Sequence, residues 1–142
     1  MIGMNFKEAT GGFFDRAKVV RAMDSATRRN LSKIGAFVRT RARSIIRTRK
    51  RVSDPGEPPS SHTGILKALI FFAYEPARKN VVIGPTVARA GEAPALLEYG
   101  GGTTRRVGHL VKPAHYRPRP FMGPALEEAK GKLADIWRDS VR

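Results

Sequence analysis

The sequence predicts an α+β domain with a long amphipathic N-terminal helix, a small antiparallel β-sheet containing a hairpin, and a C-terminal helix packed on the sheet. Three observations predict this class. Apolar residues recur at helical spacing between Val20 and Ile45, short apolar runs flank a turn between residues 65 and 85, and a second helical pattern covers residues 121–141. The 142 residues, 41% of them hydrophobic, suffice for a single domain, 1–142, with a modest core.

The long helix has one apolar face, and its other faces are strongly basic. Steps of three and four residues place on the apolar face Val20, Met23, Thr27, Leu31, Ile34, Val38, Ala42 and Ile45. Residues 1–15 are interpreted as an N-terminal arm, with Asp15 as the N-cap of the helix. We expect the helix to fray after Ile46, because four of the five residues that follow are basic. One face is therefore predicted to be buried, and the others face water or an acidic partner.

The middle of the chain alternates short ordered runs with irregular ones. Ile65–Tyr74 is predicted to be a strand, or a short helical turn that becomes a strand, and Val81–Ile83 is its hairpin partner. Ala95–Tyr99 is predicted to be a third short strand. Residues 52–64 and 100–120 are predicted to be long loops, the second of them mobile and basic, that become ordered at subunit interfaces.

The C-terminal pattern, Phe121 to Val141, is predicted to be a helix. Pro124 suits its first turn, and Glu127 and Glu128 suit the positive N-terminal end of its dipole. Its buried side is predicted to include Ala125, Ala129 and Leu133.

Composition limits the classes of function. The chain has no cysteine, which excludes disulfides and thiolate metal sites, and no apolar run approaches the length of a membrane span. The first residues lack the pattern of a signal peptide, so the protein is expected to stay in the cell that makes it. The three histidines, His62, His109 and His115, have no metal-ligand spacing, and no cofactor or metal is predicted.

The net charge of +15 leaves two interpretations open. Seven basic residues and no acid lie between Arg39 and Arg51, which is typical of a small, non-sequence-specific nucleic-acid-binding protein. The same charge also suits a surface that meets acidic neighbours in an oligomer. The residues predicted to make oligomer or partner contacts are Arg39, Arg43, Arg47, Arg49, Glu98, Arg105 and Arg106.

Glu98 is the one acid in an otherwise apolar run. A buried carboxylate could act as a general acid or base, and this keeps an enzyme as a third hypothesis. Pairing with an arginine of a neighbouring element or subunit is favoured instead, because basic partners are abundant. The glycines at 100–102 lack the Lys-Ser/Thr ending and the following helix of a phosphate-binding loop.

Three short motifs follow one another along the chain. His62-Thr63-Gly64-Ile65-Leu66 follows the Pro/Ser loop, Leu97-Glu98-Tyr99-Gly100 precedes a threonine at 103, and Arg119-Pro120-Phe121-Met122-Gly123-Pro124-Ala125-Leu126 opens the last helix. In this order the motifs resemble the neck, or tail-completion, family of long-tailed bacteriophages, over roughly residues 17–141. The chain departs from the family at His62, where an aspartate is common, and at the stretched Gly100–Thr103 segment.

The resemblance implies a structural virion protein without catalytic activity. It implies a ring, hexameric by analogy with tail symmetry, at the head–tail junction, where it contacts head-side connector or stopper proteins, the tail tube protein and the DNA that passes through the lumen. It implies assembly in the host cytoplasm and no membrane. In this interpretation Gly64 and Gly100 serve tight turns, Phe121 and Leu126 anchor the last helix against the sheet, and Glu98 pairs with an arginine.

Overall fold

The computed structural model describes residues 15–86, 91–138 and 140, and these residues form an α+β fold as predicted. The predicted N-terminal arm lies outside the described residues except for Asp15. The elements in chain order are α1 (Arg16–Ile45), β1 (Arg47–Thr48), β2 (Ser60–Ser61), α2 (Ile65–Ala68), β3 (Ile70–Glu75), β4 (Asn80–Pro85), α3 (Ala93–Tyr99), β5 (Gly101–Val107), β6 (Leu110–Tyr116) and α4 (Met122–Arg138).

Helix α1 begins and ends where its sequence signals place it. The Asp15 carboxylate accepts a hydrogen bond from the backbone N–H of Lys18 at 3.0 Å, and the chain turns extended at Ile46. The helix has 30 residues, so it is about 45 Å long. Its buried stripe starts at Ala26, whereas Val20 and Met23 are exposed. The predicted burial of these two residues was wrong, because the described elements that pack on α1 do not reach its first turns.

The core lies between α1 and α4, and α1 is the main packing partner of α4. Small side chains at Ala42, Ala125 and Ala129 let the two helices approach closely. Phe121 is fully buried in the core cluster with residues of α1 and Ile70 of β3, a position from which it anchors the start of α4. Leu126 does not share that role and is 45% exposed, because it lies about 100° around the helix from Ala125. The whole core cluster consists of Ile34, Val38, Ala42, Ile46, Ile70, Phe121, Ala125 and Ala129.

The β3–β4 hairpin packs on the other side of α1. The sequence left Ile65–Tyr74 open between two forms, and the structure has the short helix α2 followed by strand β3. Strands β3 and β4 are antiparallel, with Phe72 opposite Ile83 and Ala73 opposite Val82. The side chain of Phe72 faces α1, whereas Phe71 and Val82 lie on the outer face and are exposed.

The segment 52–64 is tied to the body within the chain. Strand β2 pairs in parallel with β1, with Arg47 opposite Ser60. The N–H of Gly56 donates to the carbonyl oxygen of Pro118 at 2.9 Å, and Nε of Arg119 donates to that of Ser53 at 2.9 Å. The two predicted loops therefore contact each other within a single copy of the chain.

Two of the sequence predictions in the second half of the chain were wrong. Ala95–Tyr99 belongs to helix α3 and is not a strand, because Ala and Leu favour helix and Pro94 sits in the first turn of α3, where proline is tolerated. Residues 101–116 are not a mobile loop but an antiparallel hairpin, β5–β6. Its two-residue turn has Gly108 at φ +63°, a backbone angle that favours glycine.

None of the helices in the described ranges combines the length and apolar character that crossing a membrane requires.

Gly35 sets the distance between α1 and the β3–β4 hairpin. A Cβ atom at this position would lie 2.6 Å from Cδ2 of Phe72 and 2.8 Å from Cγ2 of Val81. Such contacts require the Phe72 ring, the Val81 side chain or the hairpin itself to shift.

We therefore expect Gly35→Ala to lower the free energy of unfolding by about 1–3 kcal/mol, because overpacking outweighs the gain in helix propensity. Gly131→Ala is the matched control in α4, where a Cβ atom meets nothing within 4 Å, and we expect it to be neutral or stabilising by up to about 1 kcal/mol. Urea denaturation of both variants measures the difference. Equal stability of the two variants would contradict the close contact at Gly35.

Candidate functional site

The candidate site is the joint between α3 and α4, where the second and third sequence motifs meet. One carboxylate oxygen of Glu98 accepts hydrogen bonds from the backbone N–H groups of Phe121 at 2.8 Å and Met122 at 3.0 Å. The other accepts the N–H of Gly123 at 2.8 Å. Free N–H groups at a helix N-terminus carry partial positive charge, so a carboxylate there satisfies and stabilises them.

This geometry replaces the predicted arginine partner of Glu98. Among the described residues no basic side chain lies within ion-pair distance of Glu98, and both carboxylate oxygens are occupied by backbone donors. No arginine of a neighbouring element in the described chain pairs with Glu98, and a pair with an arginine of another subunit stays a prediction. Glu98 acts as the N-terminal cap of α4 from a distant position in the chain.

The segments on either side of Glu98 complete the joint. The carbonyl oxygen of Leu97 accepts the backbone N–H of Arg119. Gly100 ends α3 at φ +73°, and a Cβ atom there would lie 2.9 Å from the carbonyl oxygen of Tyr116. Only glycine combines this backbone angle with this close approach. The end of β6 therefore returns to the point where β5 begins.

The first motif forms a tight turn next to the same core. Gly64 adopts φ +76° and precedes α2, and the Thr63 hydroxyl lies 3.5 Å from the N–H of Ile65. Leu66 packs against the core cluster. Thr103 in β5, together with Leu96 and Tyr116, lines a cleft of about 440 Å³ between α3 and the β5–β6 hairpin.

Tyr99, in the second motif, has a mostly exposed side chain, unlike its neighbours Leu97 and Glu98. Leu97 packs against the core and Glu98 caps α4, whereas the Tyr99 side chain is 83% exposed. Exposed aromatic side chains of this kind are enriched among residues that dominate the energy of protein interfaces. Tyr99 borders a cleft of about 310 Å³, which is also lined by Glu98, Phe121, Ile83 and Pro94.

The predicted contact arginines of the first half divide into two groups. Nε of Arg39 donates to the carbonyl oxygen of Ile70 at 3.0 Å, and its guanidinium lies 5.7 Å from the ring centroid of Phe71. Nε of Arg49 donates to the Ser60 hydroxyl at 2.9 Å. These two arginines tether elements of the chain to each other.

Arg43 and Arg47 make no ion pair with any described residue, and Arg47 is exposed. Arg105 and Arg106 are also exposed, on strand β5. These four arginines have no ion-pair partner among the described residues, and contacts of the whole predicted set with an outside partner stay a prediction.

Histidine and acidic side chains do not gather around the joint. The cleft lined by Glu98 includes neither His109 nor His115, both of which are exposed on the β5–β6 hairpin. Within the described ranges, no group of three or more acidic or histidine side chains could hold a metal ion. The Asp24 carboxylate, which accepts a hydrogen bond from Nζ of Lys79 at 2.7 Å, raises the pKa of that lysine and links α1 to the β3–β4 turn.

Comparisons with known proteins add no relative. Neither models of protein families, nor curated protein sequences, nor solved structures match the chain.

Sequence reasoning missed three parts of the joint. It did not find the acceptor role of Glu98, the tether from Arg119 to Ser53, or the ion pair of Arg41 with Glu128 that links α1 to α4. The only available signal was a helix start at Met122 without a Ser, Thr, Asp or Asn immediately before it, which leaves its N–H groups in need of a distant acceptor.

We expect Glu98→Gln to lower the free energy of unfolding by about 1–2 kcal/mol, because one charged acceptor oxygen is lost, and Glu98→Ala by about 2–3 kcal/mol. Glu127→Gln is the control, since Glu127 is exposed and pairs only with Lys130 on the same helix; its loss should stay below about 0.5 kcal/mol. Chemical denaturation measures all three. A Glu98→Ala variant as stable as the control would contradict the capping role.

Proposed function

We propose that this protein is a structural subunit of the head–tail junction of a long-tailed bacteriophage, where copies of it form a ring that joins the DNA-filled head to the tail. The observation that carries the proposal is the role of the three ordered motifs. The residues that resemble the neck family build a turn and a helix joint, and the carboxylate among them, Glu98, accepts three backbone N–H groups. This is the arrangement expected of an assembly protein.

The exposed surface supports the same proposal. Phe71 and Val82 form an apolar outer face on a hairpin of only two strands, and Val19, Val20 and Met23 are exposed at the start of α1. Apolar surface of this kind on a small domain marks places where another protein packs. Tyr99 adds an exposed aromatic anchor next to the joint.

The expected partners follow from the proposal. Neighbouring copies would close the ring, with hexameric symmetry, and the head-side connector or stopper and the tail tube protein would contact its two rims. Assembly would take place in the host cytoplasm, and the finished protein would belong to the virion.

The alternative of a free-standing nucleic-acid-binding protein depended on the cluster from Arg39 to Arg51. In the structure Arg39, Arg41, Arg49 and Arg51 of that cluster are engaged by other groups of the chain. The cluster is therefore a weaker basis for that alternative than the sequence indicated.

A complementation experiment tests the proposal. The gene is disrupted in the phage that carries it, and the protein is supplied in the host as wild type, Tyr99→Phe or Tyr99→Ser. Without complementation we expect filled heads and separate tails in electron micrographs. Wild type and Tyr99→Phe should restore joined particles, and Tyr99→Ser should restore at least about tenfold fewer, because an interface aromatic contributes on the order of 2 kcal/mol.

The folded state of the variants is the control. Tyr99 is 83% exposed, so Tyr99→Ser should unfold at the same denaturant concentration as wild type. Joined, infectious particles made without the protein would reject the proposed function. Full rescue by Tyr99→Ser would be compatible with the proposed ring but would show that Tyr99 does not contribute to its contacts.

A further inference from the structure

The β5–β6 hairpin is an arm that stands apart from the body. Each of its two strands contacts the other strand far more than it contacts any other element. At its far end Val107, Leu110 and Val111 are each more than half exposed. A two-stranded hairpin without a covering layer is only marginally stable in water, so this arm is expected to gain stability from a partner.

The charge on the arm is of one sign. From Gly101 to Tyr116 the chain contains three Arg or Lys residues and no acid. Arg105 lies directly opposite Lys112 in the antiparallel register, so their side chains share one face of the hairpin. Like charges in this position repel each other and destabilise the pair. Phosphate groups close to the two cations would offset that repulsion.

Most acidic side chains in the described part of the chain already have partners, so a second copy offers the arm little free negative charge from these residues. Asp15 and Glu98 accept hydrogen bonds from backbone N–H groups. The acids that already form ion pairs within the described part of the chain are Asp24, Asp54, Glu57, Glu75, Glu127, Glu128 and Asp135. Among the described acids only Glu92 is exposed without such a partner, so docking the arm on another copy would for the most part exchange one ion pair for another.

We propose that the β5–β6 hairpin binds double-stranded DNA by entering the major groove with its tip. The major groove of B-form DNA is about 12 Å wide and 8.5 Å deep and accepts a two-stranded β-ribbon. The Val107–Leu110 pair lies on the same face as the Arg105–Lys112 pair and two residues nearer the tip, which is about 7 Å along the strands.

This spacing fits the depth of the groove. When Val107 and Leu110 reach the base edges, Arg105 and Lys112 stand at the level of the phosphates on the groove walls. The apolar tip can contact thymine methyl groups, and the cation pair supplies affinity without reading sequence. Double-stranded RNA would bind less well, because its major groove is deep and too narrow for side chains to enter.

This inference does not depend on the ring. It concerns the arm of a single chain, and it would hold for a subunit that touches DNA in a phage neck as well as for a free protein. Its test uses the purified full chain in solution, so its failure is separate from a failure of the complementation experiment.

The test measures binding of a fluorescein-labelled DNA duplex of about 24 base pairs by anisotropy at several salt concentrations. Arg105→Gln/Lys112→Gln removes the opposed cations of the arm. We expect the slope of log K against log salt to become shallower by about 1.8, and the dissociation constant at 0.1 M salt to rise roughly ten- to a hundredfold. Leu110→Ser should weaken binding without changing the slope.

Arg47→Gln/Lys50→Gln is the matched control, since it removes one exposed arginine and one exposed lysine from another region. It should change the slope by less than about 0.5. An equal loss in both double variants would overturn the proposal, because binding would then follow net charge alone. The proposal would also be overturned if the wild-type protein failed to bind DNA at about 50 mM salt.

Two competitor ligands separate duplex DNA from other polyanions. A double-stranded RNA of the same length should bind at least about tenfold more weakly at equal salt, because its major groove excludes the arm. Polyglutamate of matched charge should compete poorly. If polyglutamate displaces DNA at equal charge, the arm binds an acidic protein surface and the proposal is wrong.

Discussion

The Glu98 carboxylate fixes the start of α4 to the end of α3 by accepting the N–H groups of Phe121, Met122 and Gly123. This contact decides where the buried ring of Phe121 sits, and so how α4 meets α1. It also fixes the base of the β5–β6 hairpin, because Gly100 is only two residues after Glu98 and lies against the carbonyl oxygen of Tyr116. A single carboxylate therefore sets the position of the core helix and of the β5–β6 hairpin together.

The distribution of charge follows from the same architecture. Cations on the body link elements of the chain, as Arg41 does with Glu128 and Arg119 with Ser53. Cations on the arm, such as Arg105 and Lys112, face each other without an acid between them. The body thus has several cations that pair within the chain, whereas no ion pair involves the cations of the arm among the described residues. A ring subunit at a DNA-filled junction and a DNA-contacting arm are compatible readings of this division.

Local signals were enough to predict α1 and the β3–β4 hairpin. Asp15 caps its own helix, and strands β3 and β4 are close in sequence, so short-range physics determines them. The α3 helix was missed because a five-residue apolar run has no periodicity that separates helix from strand. The arm was missed because basic residues and Pro113 obscure a strand pattern around the Gly108 turn.

The joint could not be read from one sequence. Glu98 and Gly123 are 25 residues apart, and nothing in the residue types indicates that a carboxylate in one motif accepts backbone N–H groups in another. The same is true of Gly35, whose importance depends on Phe72 approaching it from a hairpin. Contacts of this kind depend on packing over long sequence separations, and composition favoured an arginine partner that the geometry does not supply.

The central claim is that the Glu98 contact fixes the start of α4, while the β5–β6 hairpin lacks a stabilising partner in the free chain. Backbone hydrogen exchange of the chain, measured alone and with a DNA duplex, tests this claim most directly. The account predicts slow exchange for the amides of Phe121, Met122 and Gly123 and faster exchange along β5 and β6. It also predicts that DNA slows exchange in β5 and β6 alone. Unprotected amides at Phe121–Gly123, or an arm as protected as the core in the free chain, would contradict it.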